Sequence, residues 1–162
     1  MLISPTMTAL RMCPSCKKHL DASKFHGRRK LCKTCKNSAR AKVLSASYED
    51  YLRNLYSQSK SANRPESNNS RDLEWEISAD DLIALWEKQD GKCALSGVYL
   101  THHKDGSGRK EYNASIDRIS PEKNYTPENI QLVCYRVNIL KHALSEDMFY
   151  WWVKTIHDFS CD

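Results

Sequence analysis

The spacing of apolar positions changes several times along the chain. Over residues 39–61, Leu44, Tyr48, Tyr51, Leu52, Leu55 and Tyr56 recur at three- and four-residue steps, the period of one helix face. This stripe predicts one long helix that packs on the rest of the protein. Ser61-Ala-Asn-Arg-Pro-Glu-Ser-Asn-Asn-Ser70 is rich in turn formers and free of large apolar side chains, so residues 62–72 read as a linker. Residues 73–77 alternate like a short strand. Ser78 caps a predicted helix over 79–89, with Leu82, Ile83, Leu85 and Trp86 on one face and Gly91 ending it. A strand near 98–103, a glycine-containing turn at 104–109, a strand at 113–119, an irregular loop at 120–128 and a strand at 129–134 follow. A helix beginning near Tyr135 carries Asn138, Lys141 and His142. The last helix opens at Ser145, with Glu146 and Asp147 in its first turn where they suit the helix dipole. Met148, Trp151, Trp152, Ile156 and Phe159 give it an apolar face that is expected to act as a structural clamp. Short strands mixed with helices, without internal repeats, place the chain in the α+β class.

Composition narrows the picture. The chain has 162 residues, 40% of them hydrophobic, and a mean hydropathy of −0.68, so any core is modest and a metal staple would help it. No apolar run approaches the ~20 residues of a membrane span. The apolar stretch at the N-terminus is too short and broken for a secretory signal, so the expected location is cytoplasmic (a host cell's cytoplasm if phage-encoded), not secreted. The net charge of +5 is unevenly placed: residues 1–65 hold 14 Lys+Arg and 3 Asp+Glu, the remainder 11 and 17. A basic half beside an acidic half fits a polyanion grip in the first and another task in the second; the alternative is a solvated basic face.

Four of the seven cysteines form Cys13-Pro-Ser-Cys16 and Cys32-Lys-Thr-Cys35, with 15 residues between the pairs. Each C-x-x-C places two thiolates on one knuckle, and two knuckles complete a tetrahedron, the pattern of a structural Zn²⁺ site. His19 and His26 lie between the knuckles and are superfluous as ligands. Lys17, Lys18, Arg28, Arg29, Lys30, Lys33, Lys36 and Arg40 crowd around the cluster and are the candidate nucleic-acid contacts, with double-stranded DNA the expected partner. The predicted organisation is a Cys₄ zinc module at 1–38, a basic helix at 39–61, a linker at 62–72 and a second domain at 73–162.

In that second domain Asn138 and His142 are four residues apart and would project from one helix face. Asp117 sits on the strand that a strand–loop–strand–helix layout brings opposite them. Carboxylate, amide oxygen and imidazole suit Mg²⁺ or Mn²⁺, although an Asn and a His one turn apart on a helix are more often surface polar residues.

The stretch Ser115-Ile-Asp-Arg-Ile-Ser-Pro-Glu-Lys-Asn-Tyr-Thr-Pro-Glu-Asn-Ile-Gln-Leu-Val-Cys134, continued by Asn138-Ile-Leu-Lys141, resembles the HNH (ββα-metal, His-Me finger) endonucleases encoded by many phages. Cys13-Pro-Ser-Cys16…Cys32-Lys-Thr-Cys35 is similar to the zinc domain often fused ahead of such cores. The resemblance implies a ββα-metal core with flanking helices and a one-metal hydrolysis of DNA phosphodiesters, with the free-standing homing nuclease as one form. It makes Asn129 the middle asparagine that ties the loop to the first strand. It also makes Asp117, Asn138 and His142 the ligands of the catalytic ion.

Two departures matter. The family's general base normally follows the aspartate, and Arg118 stands there; a guanidinium does not abstract protons near neutrality. Another group, with His102 and His103 nearest by sequence, or the ion itself would have to activate the nucleophile. Arg118 is then either a clamp on the scissile phosphate or a plain phosphate contact. Where many family members carry a second Cys₄ site, this chain has Cys93/Ser96 and Cys134/Val137, so Cys93 and Cys134 read as buried reduced thiols. The competing functions are a weak or inactive DNA-binding protein on an HNH scaffold, a junction-resolving nuclease like endonuclease VII, and RNA binding through the zinc module. Monomer and homodimer both remain open.

Overall fold

The computed structural model describes residues 10–63, 73–103 and 110–161. The predicted turn at 104–109 and nearly all of the predicted linker lie outside the described residues. Chain order is β1 (Leu10–Met12), β2 (His19–Asp21), α1 (Lys33–Leu44), α2 (Tyr48–Ala62), α3 (Ala79–Lys88), β3 (Ala114–Arg118), β4 (Ile130–Cys134), α4 (Tyr135–Lys141) and α5 (Glu146–Ser160), with short 3₁₀ turns at Ala22–Lys24 and Pro127–Asn129. The class is α+β. Each sheet is an antiparallel pair, β1 with β2 and β3 with β4.

The predicted helix over 39–61 is two helices. α1 begins at residue 33, because Cys32 is its N-cap and accepts from the Cys35 N–H, and it runs through residue 38. It stops at Ser45. Ser47 then caps α2 by accepting from the Asp50 N–H, with Glu49 and Asp50 in the first turn. A capping serine inside an apolar stripe thus starts a new helix without ending the stripe. Tyr51, Leu52 and Leu55 are buried in the main core, flanked by Tyr48 and Tyr56. α3 opens on a reciprocal box between Ser78 and Asp81. It ends at Gln89, and Asp90 and Gly91 follow in the left-handed region (φ 54° and 63°).

The strands predicted at 73–77 and 98–103 are reduced to single bridges, Trp75 with Tyr125, Lys92 with Tyr99 and Thr101 with Asn113. The β3–β4 ladder is in register from Ala114 opposite Cys134 to Arg118 opposite Ile130, and all ten residues are buried. A two-stranded ribbon is marginal alone, and here both its faces and its outer edge are covered. The Gln89 side-chain amide behaves as a third strand: its oxygen accepts from the Leu132 N–H (3.0 Å) and its nitrogen donates to the Leu132 carbonyl (2.8 Å). The Ala94 N–H also reaches the Leu132 carbonyl, and the Cys134 N–H points at the Cys93 sulfur (3.3 Å). Burial, then the neighbouring Cys93, pushes the Cys134 thiol up to about 11. From the opposite side the buried Tyr51 hydroxyl donates to the Ala114 carbonyl at 2.8 Å.

A second, smaller core contains Cys13, Phe25 and Cys32, with Cys16, Leu20, Leu31 and Cys35 against it. Four of these seven side chains are the paired cysteines. α5 corrects the expectation of a clamp: Phe149 alone is buried, and every residue from Tyr150 to Ser160 is exposed.

Tyr51→Phe tests how α2 holds the ribbon. Losing the hydroxyl leaves the Ala114 carbonyl without that donor in a dry site, and urea unfolding should show a loss of about 1–2 kcal/mol at unchanged m.

Candidate functional site

The β3–loop–β4–α4 segment converges on one point. Asp117 and Arg118 end β3, and the loop from Ser120 to Pro127 is closed by Asn129. The Asn129 amide oxygen accepts from the Ser120 N–H (2.9 Å), while its nitrogen donates to the carbonyls of Ser120 (3.1 Å) and Asn124 (2.9 Å). One side chain therefore fixes both ends of the turn beside Arg118. A cleft of about 50 Å³ is lined by Ile116, Asp117, Arg118, Pro121, Tyr125, Asn138 and His142. It shares Arg118, Pro121 and His142 with a wider groove of about 440 Å³ whose other walls are Leu73, Glu122 and Ala143.

Asn138 is on α4, and its amide nitrogen donates to Ser115 Oγ (2.8 Å) and to the Ile116 carbonyl (2.9 Å). That orientation leaves its amide oxygen as the atom with ligand capacity. His142 does not share a helix face with it, as the four-residue spacing predicts. His142 is the residue at which α4 stops, with φ 51° and ψ −114°, although its N–H still reaches the Asn138 carbonyl at 2.9 Å. A positive φ at a residue with a Cβ is sparsely populated, and here it turns the chain out of the helix beside the cleft.

The Asp117 carboxylate is occupied by two donors that the sequence reading did not assign a role. Lys141, fully buried, places Nζ 3.1 Å from Oδ2 and 3.3 Å from Oδ1, and donates to the Arg118 carbonyl at 2.8 Å. Gln131, opposite Asp117 in the ladder, donates to Oδ2 (3.0 Å) and also to Glu146 Oε1 at the start of α5 (2.7 Å). A cross-strand partner follows directly from register, so Gln131 becomes identifiable once the hairpin is known. Lys141 was visible as a lysine one turn beyond Asn138, but nothing in the sequence said it would be dry.

Arg118 is buried; its Nη1 donates to the Lys123 carbonyl (2.9 Å) and its guanidinium lies 5.1 Å from the Tyr125 ring centroid. It lines the cleft while being braced by the loop. His102 and His103 line neither the cleft nor the groove. Burial, then the neighbouring His103, lowers the His102 pKa; its ring sits near Ser45, Glu49 and Trp86 instead.

The sulfurs of Cys13, Cys16, Cys32 and Cys35 all lie within 4.8 Å of one another and could hold one metal ion. The N–H of Cys16, then that of Cys32 (3.4 Å from the sulfur), lowers the Cys13 thiol to about 6, so Cys13 itself favours thiolate, whereas Cys35 is pushed up to about 11. Lys17, Lys18, Arg28, Arg29, Lys30 and Lys33 are exposed around this cluster, Lys36 is half-buried, and Arg40 is tied to Asn54 of α2. Arg11 braces the module instead, donating to the carbonyls of Gly27 (2.6 Å) and Arg29 (2.8 Å) over the Phe25 ring. Among the described residues no helix is long and apolar enough to cross a membrane.

No protein-family model matches the chain, and no curated protein matches it. Among solved structures it is similar to the rare-cutting HNH restriction endonuclease PacI, at 18% identity over 90% of this chain and 92% of that one, with a TM-score of 0.41. An overlap of that degree leaves the roles of the residues to this chain's own geometry.

The Lys141–Asp117 pair makes a direct prediction. Lys141→Met strands a buried carboxylate and should cost about 3–5 kcal/mol, whereas the double change Asp117→Leu/Lys141→Met removes both charges and should recover much of that loss. Thermal or urea unfolding of the three proteins checks the ordering.

Proposed function

We propose that this protein is a metal-dependent DNA endonuclease of the HNH type, with a zinc-stapled basic module ahead of its catalytic core. The observation that carries the reading is the single cleft lined by Asp117, Asn138 and His142 at the end of a β–β–α unit whose loop is tied by Asn129. A carboxylate, an amide oxygen and an imidazole form a donor set suited to Mg²⁺ or Mn²⁺. When bound, such an ion supplies Lewis-acid stabilisation to a phosphodiester and its leaving oxygen. The chain's own residues do the rest. Lys141 and Gln131 fix the Asp117 carboxylate, Asn138 is locked to β3, and Arg118 lies braced at the cleft wall where it can meet phosphate charge. The wider groove gives a duplex backbone room beside the cleft, and the exposed Lys and Arg of the module supply phosphate contacts.

The second reading is a DNA-binding protein without cleavage. The feature in its favour is Arg118 where a base would stand, with neither His102 nor His103 lining the cleft.

The module should carry one Zn²⁺ per chain and depend on it, because its core consists largely of the ligands. Elemental analysis should find that stoichiometry, and a strong chelator should abolish the module's chemical-shift dispersion. A metal-free chain with the module still folded contradicts the assignment.

Supercoiled plasmid should be cut with Mg²⁺ or Mn²⁺ and left intact in EDTA. Asp117→Asn is a better probe than alanine, since it keeps a side chain against Lys141. His142→Gly keeps the left-handed backbone that alanine would strain. Each should slow cleavage by at least about a hundredfold, the upper end of what even supporting residues of a metal site cost. Both should leave DNA affinity near that of the wild type. Cutting in EDTA rules out the metal mechanism, and a wild-type protein that binds but never cuts with any divalent ion establishes the second reading.

A further inference from the structure

The turn that carries Cys93 repeats the geometry of the turn that carries Cys13. In the N-terminal module the Cys13 N–H donates to the Lys18 carbonyl (3.0 Å), the Lys17 N–H donates back to the Cys13 carbonyl (2.8 Å), and Lys17 has φ 58°. In the second half the Cys93 N–H donates to the Val98 carbonyl (2.8 Å), the Gly97 N–H donates back to the Cys93 carbonyl (2.9 Å), and Gly97 has φ 68°. The match extends to the facing cysteine. Cys32 points its N–H at the Cys13 sulfur (3.4 Å) and is the N-cap of α1; Cys134 points its N–H at the Cys93 sulfur (3.3 Å) and is the N-cap of α4. The sulfurs of Cys93 and Cys134 thus correspond to those of Cys13 and Cys32, which lie within 4.8 Å, and the two thiols hydrogen-bond to each other. The remaining positions differ, with Ser96 in place of Cys16 and Val137 in place of Cys35. Valine has no ligand atom, so the second turn keeps a sulfur pair without the other corners of a tetrahedron. Unlike Cys32, Cys134 makes no side-chain capping bond to its helix.

We propose that Cys93 and Cys134 are a redox-active dithiol, which a peroxide converts into a disulfide stapling the turn after α3 to the start of α4. Both thiols are buried, yet Cys93 opens an exposed turn: Ala94, Ser96, Gly97 and Val98 all face solvent. A small oxidant has only that turn to pass. Burial opposes ionisation of Cys93, but the Ser96 hydroxyl and the N–H groups of Cys134, Leu95 and Ser96 outweigh it and hold the thiol below its ordinary value. Cys93 is therefore the nucleophile. Having lost its proton, its thiolate attacks one peroxide oxygen; the O–O bond breaks, Cys93 becomes a sulfenic acid, and the departing hydroxide takes up that proton as water. The Cys134 sulfur then attacks the Cys93 sulfur, the S–O bond breaks, and the second hydroxide leaves with the Cys134 proton as water. Two electrons pass from the two sulfurs to the peroxide. After burial, the neighbouring Cys93 is the next cause of the high Cys134 value, and its conversion to a neutral sulfenic acid removes that charge at the step where Cys134 reacts.

Treatment of the full zinc-loaded chain with hydrogen peroxide, followed by alkylation of the remaining thiols and peptide mapping, tests this without any cleavage readout, so it succeeds or fails independently of the nuclease reading. The exposed Cys161 measures the oxidant dose within the same molecule. The expected product is the peptide bearing Cys93 joined to the peptide bearing Cys134, separated again by dithiothreitol. The bond closes a loop of about 40 residues, so the urea midpoint should rise on oxidation and fall back on reduction. Cys134→Ala deprives the Cys93 sulfenic acid of its partner, and a dimedone adduct on Cys93 should appear in that variant and be largely lost from the wild type. The wild-type map decides even if the variant folds poorly. Cys93 and Cys134 both recovered as free thiols at a dose that oxidises Cys161, or a joined pair that fails to raise the midpoint, overturns the proposal. So does Cys93 found joined to Cys161 or to a cysteine of the module.

Discussion

The ammonium of Lys141 has no water to turn to, and much of the second half of the chain is arranged around that fact. An isolated buried charge costs several kcal/mol, so Asp117 must stay opposite it and the Arg118 carbonyl must stay within reach. Those two contacts hold α4 against the end of β3. Asn138, one turn earlier on α4, adds its bonds to Ser115 and Ile116, which fix the rotation of the helix as well as its height. The helix then has only a few residues before His142 turns out of it. A hydrophobic contact in the same place would tolerate a small slide; a buried ion pair with further hydrogen bonds does not.

The ribbon and the N-terminal module each rely on more than apolar burial. The β3–β4 ribbon is braced from outside the sheet, with Leu132 and Cys134 met by Gln89, Ala94 and Cys93 on one edge and the Ala114 carbonyl met by Tyr51 on the other. The N-terminal module has little to bury, and its two buried cysteines are simultaneously core and candidate ligands. Cys32 has a third task as the N-cap of α1.

The chain's periodicities located the helices well, and the two C-x-x-C pairs located the cysteine cluster, because both signals are local. What depended on tertiary contact was less legible. The break at Ser47 lay inside an uninterrupted apolar stripe, and only its cap and acidic first turn marked it. The strands at 73–77 and 98–103 failed to form ladders because the groups that pair with them are loops, not strands. Asp117, Asn138 and His142 were named from the sequence, and the fold does bring them to one cleft, but through a left-handed His142 that helical spacing does not anticipate. Gln131 and Lys141 were passed over, since a glutamine in a strand and a lysine on a short helix carry no mark of burial. α5 misled for the opposite reason: its amphipathic pattern reads as a buried face, whereas Phe149 is the one residue of the helix that the fold buries.

The charges around the cleft also order its chemistry. Asp117 is the one carboxylate in its lining, and it is already matched by Lys141; Arg118 adds a second buried cation, while Glu122 lines only the wider groove. That leaves Arg118 as a cation at the cleft wall with no carboxylate of the lining matched to it. A single carboxylate shared with an ammonium is a weak hold for a divalent ion, and a phosphodiester entering beside Arg118 would supply the missing negative charge as well as oxygen ligands. Under the proposed nuclease reading, ion and phosphate would stabilise each other, each raising the other's affinity by the same factor. The two functional readings share the phosphate and differ only in whether an ion joins it. For that reason the sequence position that separates them is Arg118: it favours phosphate entry under both readings, and it cannot take the proton that only one of them needs removed.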